Sequence, residues 1–114
     1  MARLRKSEKT RSASKALTVS HRERLVDELR ADPKLAADYL NAAAEDEDPR
    51  VYLAALRTVA EAEGMAKIAK TAGVPRESLY RALSVGGNPR FSTFHAILRA
   101  AGLKLTVERS GGDR

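Results

Sequence analysis

The dipeptide Asp-Pro occurs twice, at 32–33 and 48–49, and an apolar stripe at helical spacing follows each time. Aspartate is a good N-cap because its carboxylate accepts a bond from one of the orphan N–H groups that open a helix. Proline suits the next position, where its fixed φ is already helical and its missing N–H has no partner to lose. A chain punctuated in this way folds into short helices. The first signal leads into Leu35, Ala36, Tyr39, Leu40 and Ala43, and the second into Tyr52, Ala55, Leu56 and Val59 at i, i+3, i+4, i+7. The acidic run Glu45-Asp46-Glu47-Asp48 ends the earlier of these helices, and Gly64 ends the later one. An earlier helix begins near Ser20, where Ser20 and Glu23 offer a capping box and Leu25, Val26 and Leu29 a short stripe.

Composition narrows the chemistry. The 114 residues have no cysteine, so neither a disulfide framework nor a thiolate metal site nor a cysteine nucleophile is available. His21 and His95 are the two histidines, too few for a zinc site without carboxylate help. No nucleophile elbow, HExxH or P-loop occurs, so no enzyme and no cofactor are expected. No apolar stretch approaches the roughly 18 residues that span a bilayer, and the basic N-terminus lacks the apolar centre of a secretory signal. The expected address is the cytoplasm.

The net charge of +6 hides three blocks. Residues 1–24 carry net +6, residues 25–63 net −6, and residues 64–114 net +6. An acidic block between two basic ones argues against a uniform polyanion binder. It suits a protein with one face for phosphate and another for a different partner. Residues 1–19 are rich in Lys, Arg, Ser and Ala without a sustained period, which reads as a mostly disordered arm. Such an arm either solubilises the chain or adds non-specific affinity for DNA.

The informative stretch is 65–84, MAKIAKTAGVPRESLYRALS. A helix-turn-helix needs a small residue where its helices cross, a turn residue tolerant of positive φ, and buried aliphatics on both helices. Ala69, Gly73 and Val74 meet the first needs, and Ile68, Ala72, Leu79 and Ala82 supply the inward set. Pro75 opens the second helix. Its outward residues are Arg76, Glu77, Ser78, Tyr80, Arg81 and Ser84. Residues near the start of such a helix reach base edges, where Arg pairs with guanine and Glu accepts from cytosine. Lys67 and Lys70 are either phosphate contacts or solvated lysines. In the linker Gly86-Gly87-Asn88-Pro89-Arg90-Phe91, backbone N–H groups, Asn88 and Arg90 are candidates to grip a phosphate, and Phe91 reads as core. A following helix is expected over 92–101, capped by Ser92, with Phe94, Ile97 and Leu98 inward. Residues 103–108, LKLTVE, alternate like one strand, which needs a partner, for example from a second copy.

The chain is therefore expected to be all-α: five to six helices around a helix-turn-helix, with extra N-terminal helices and one short C-terminal strand. Its expected parts are the arm 1–19, an acidic helical region 20–63, the helix-turn-helix part 64–102, and the strand and tail 103–114. Over roughly 20–108 it resembles the HigA-like addiction-module antidote proteins, antitoxins with a lambda-repressor-like helix-turn-helix of the Xre/Cro type. The likeness is carried by EDEDP, RESLYRALS, GNPRFSTF and AAGLKL, in that order. It departs in having Pro75 where a capping Ser or Asn is common, and in the length of the basic arm.

The resemblance implies an antitoxin that binds a small basic RelE-like ribonuclease toxin, and that represses its own operon as a homodimer on an inverted repeat of operator DNA. It carries base recognition onto Arg76, Glu77, Ser78 and Arg81. A toxin that holds RNA must be basic, so an acidic cover is expected of its inhibitor. Asp38, Glu45, Asp46, Glu47 and Asp48 are the candidates for that contact, with solvated turn as their ordinary alternative. A second reading of the chain is a stand-alone helix-turn-helix regulator without a toxin partner.

Overall fold

Both Asp-Pro signals start helices. Asp32 and Asp48 lie in extended backbone, and each side chain accepts from the N–H two residues on: Lys34 at 3.0 Å and Arg50 at 2.9 Å. The computed structural model describes residues 21–110, which form six helices and, among the described residues, no strand. Helix α1 covers 21–31 of the described residues. It is followed by α2 (Pro33–Ala43), α3 (Pro49–Glu63), α4 (Met65–Ala72), α5 (Arg76–Ala82) and α6 (Phe91–Ala100). The Ser20 cap, the arm 1–19 and the last four residues lie outside the described residues.

Helix α3 is the central strut, packing against both α2 and α4. Its stripe buries Ala55, Leu56, Val59, Ala60 and Ala62. Helix α4 in turn packs against α5 and α6, so the two halves of the sequence share one core. Leu29, Leu40, Leu56, Ile68, Leu79, Leu83, Ile97 and Leu98 all belong to that cluster. Polar straps hold α1 to α3. Arg30 Nε–H donates to the carbonyl of Ala62 at 2.8 Å, and Arg22 reaches both Glu61 and the buried Thr58. The Thr58 hydroxyl donates to the Ala54 carbonyl at 3.2 Å, which spares it an unpaired proton in the core.

Three sequence expectations need correction. Residues 103–108 form no strand: Leu103 N–H donates to the Leu98 carbonyl at 2.9 Å, while Leu105 and Val107 stand 42% and 92% exposed. Alternation alone does not make a strand, because a strand needs a ladder partner, and none exists among the described residues. Helix α6 begins at Phe91 rather than Ser92, and Ser92 does not cap it; the first turn closes when Phe94 N–H bonds the Arg90 carbonyl at 2.9 Å. Phe91 is not core but 66% exposed, because its place in the first turn of α6 carries the stripe beyond the edge of the buried cluster.

Two outcomes follow from this packing. Leu79→Ala removes a fully buried side chain and should cost about 2–5 kcal/mol in denaturant unfolding, with the slope of the transition unchanged. Arg50 holds the Asp48 carboxyl below its ordinary value of 3.8, first through its side chain and then through its backbone N–H. A carboxyl that titrates lower when folded contributes fully above the unfolded value, and the contribution disappears as pH falls through the folded one. Between about pH 5 and about pH 3 the unfolding midpoint of the wild type should therefore fall further than that of Asp48→Asn.

Candidate functional site

The corner between α4 and α5 is built by two residues. Gly73 adopts φ +76°, a left-handed conformation that glycine takes without a Cβ penalty. In that conformation both its own N–H and that of Val74 bond back to the Ala69 carbonyl, at 2.9 and 3.0 Å. Pro75 then runs extended, and its carbonyl accepts from Leu79 N–H at 3.0 Å to open α5. As expected for a proline, the helix start has no side-chain cap.

Helix α5 is anchored by Leu79, fully buried, and by Leu83 just past its end, 1% exposed. The sequence reading assigned that second inward place to Ala82, which is only half-buried. With this side facing in, Arg76, Glu77, Tyr80 and Arg81 are exposed and Ser78 is half-buried. Arg76 lies over the Tyr80 ring, 5.6 Å from its centroid, and donates to the phenol oxygen at 3.3 Å. The pair steadies a long side chain that would otherwise sample many rotamers.

A second group of expected residues converges beside α5. Ser78, Arg81, Asn88 and Arg90 line one surface depression of about 560 Å³, together with Ser84 and Thr93. The lining contains two arginines and no carboxylate. Ser84 Oγ–H donates to the Arg81 carbonyl at 2.8 Å, and Gly87 N–H donates to the Ser84 carbonyl at 2.8 Å, so the linker folds back against the helix end. A Cβ on Gly87 would stand 2.3 Å from the Ala82 carbonyl oxygen, which explains the glycine without any need for positive φ. Arg76, Glu77, Tyr80, Lys67 and Lys70 lie outside this lining. Lys67 is paired with Glu63 at 3.6 Å, whereas Lys70 is exposed without an ion pair among the described residues. Thr93 was missed by the sequence reading, since nothing in its spacing distinguishes it from an ordinary helix residue.

The acidic candidates divide. Asp48 is occupied as the α3 cap and by Arg50, whose Nη2 stands 2.8 Å from its Oδ2. Asp46 and Glu47 line a separate groove of about 600 Å³ with Tyr52, Leu53, Pro89, Phe91 and Phe94. Asp38 and Glu45 are exposed and lie outside it. Tyr52 and Phe94 are 5.9 Å apart between ring centroids, and Phe91 stacks on His95 at 5.8 Å. Burial pushes the Tyr52 phenol up, so the ring stays neutral. The i, i+3, i+4 spacing of Phe91, Phe94 and His95 was a readable sign that these rings share a face.

A family model described as "probable addiction module antidote protein" matches residues 21–109. A protein of Haemophilus influenzae (strain ATCC 51907 / DSM 11121 / KW20 / Rd), described as an uncharacterized protein, is 40% identical over 72 residues, 63% of this chain and 74% of its own length. No solved structure matches. The chain belongs to the family of probable addiction module antidote proteins. An antidote implies a toxin partner and suggests a regulatory role. No helix among the described residues is long and apolar enough to cross a membrane.

Gly87→Ala should be destabilising by about 1–3 kcal/mol, the usual range for forcing an added methyl into occupied space. Gly86→Ala, whose Cβ would meet nothing within 4 Å, should change thermal unfolding little.

Proposed function

We propose that the chain is the antitoxin of a type II toxin–antitoxin module. In this reading it binds and neutralises a small basic RelE-like ribonuclease. As a homodimer it also binds an inverted repeat in its own operator, and so represses the operon. Residues 64–102 form a lambda-repressor-like helix-turn-helix with α5 as the recognition helix, and residues 20–63 contribute to the toxin contact.

One observation carries the DNA half of this reading: α5 buries Leu79 and leaves Arg76, Glu77 and Arg81 outward, next to a depression that Arg81 shares with Arg90. A short helix held proud of a small domain fits the major groove, and its first residues are the ones that meet base edges. Arg81, Ser78, Asn88 and Arg90 then share base and phosphate contacts, while the Arg76–Tyr80 pair presents a pre-ordered guanidinium to guanine. Glu77 selects against bases that offer it no donor. Lys67 and Lys70 on α4 serve as phosphate contacts. Family membership supports the antidote half.

The test is footprinting and titration on DNA upstream of the chain's own reading frame. Arg81→Ala should cost about 1–3 kcal/mol on the preferred site and relax the preference at one base position. Lys70→Ala should weaken all sequences alike and flatten the salt dependence by about one unit. Wild-type binding no tighter to that DNA than to random duplex would refute the operator reading.

A further inference from the structure

We propose that the groove between the α2–α3 turn and the start of α6 is the surface on which the toxin docks. We further propose that it receives a toxin segment bearing an apolar or aromatic side chain beside an arginine or lysine. The proposal rests on the antidote reading and deepens it by assigning the contact to a surface and its chemistry.

The groove has an apolar floor and an acidic rim. Tyr52, Leu53, Pro89, Phe91 and Phe94 supply the floor, and Phe91 leaves two-thirds of its surface (66%) in solvent, an exposure that burial by a partner would relieve. Aromatic side chains that stand exposed around a concavity are the usual anchors of protein–protein contacts. At the rim, Asp46 and Glu47 meet no cation among the described residues; Asp46 Oδ1 only accepts from Asp48 N–H at 2.8 Å. Arg50, the cation on the same wall, is already held by both oxygens of Asp48. Among the described residues the rim therefore presents uncompensated negative charge next to ring faces, and both attract a cation. A basic partner segment meets those conditions; an acidic one would face repulsion from Asp46 and Glu47. This also separates the acidic candidates: Asp46 and Glu47 face the partner, whereas Asp48 is committed to its own helix.

The experiment uses the full chain and the purified product of the small reading frame adjoining its own, titrated by calorimetry and co-expressed in a growth assay. Phe91→Ala and Glu47→Lys alter exposed side chains and should leave the fold intact by circular dichroism. Each should weaken the complex at least tenfold, the Glu47→Lys effect shrinking at high salt, while Glu108→Lys, the same charge reversal in the C-terminal segment, leaves it unchanged. If both groove variants bind like the wild type, the docking surface is wrong and the antidote reading survives. If the wild type neither binds that product nor relieves its toxicity, both fall. If the variants instead convert a dimer of the free chain to monomer without altering toxin binding, the groove belongs to a second copy and the proposal is overturned.

Discussion

Helix α5 has seven residues, fewer than two full turns, and an isolated helix of that length has no stability of its own in water. It persists because Leu79, and Leu83 just beyond it, are drawn into the cluster that α3, α4 and α6 build. The positions of Arg76, Arg81 and, through the linker, Arg90 depend on that anchoring. The arginine-bearing surface is thus a consequence of burial on the opposite side of the same short helix.

The same economy governs the charges. A small domain cannot place strong patches of both signs close together without their neutralising each other. Here the acidic turn after α2 is partly spent on folding, with Asp48 capping α3 and binding Arg50, and Asp46 accepting from the Asp48 N–H. What remains, Glu47 and the second oxygen of Asp46, borders the rings of the groove, whose one lining arginine, Arg50, is already bound to Asp48. The carboxylate-free depression opens beside α5, and Gly87, Asn88 and Pro89 line both surfaces. One short linker is the common wall between the two candidate interfaces, and at Gly87 it runs too close to the Ala82 carbonyl to admit a side chain.

Much of this was legible from local chemistry. The Asp32 and Asp48 caps, the Gly64 and Gly73 helix ends, and the buried places of Leu29, Leu56, Ile68, Leu79 and Ile97 follow from capping and periodicity. Where the reading failed, the deciding quantity was not local. LKLTVE alternates, yet finds no ladder partner; Phe91 continues the stripe of α6, yet the stripe outruns the core. Ala82 and Leu83 are adjacent, and only the direction of the core chose the larger side chain for burial.

The amino-acid order by itself determined where most of the helices start and stop and which side chains face inward along most of them, because caps and glycine turns act over a few residues. Only the tertiary structure decided which polar residues meet. It gathered Ser78, Arg81, Asn88 and Arg90 around one depression while leaving Lys67 with Glu63, and it set Asp46 and Glu47 against Phe91 and Tyr52 rather than beside Asp38. Those groupings depend on how α3, α4 and α6 pack, and helix packing is fixed by the shape of a shared core that no single segment contains.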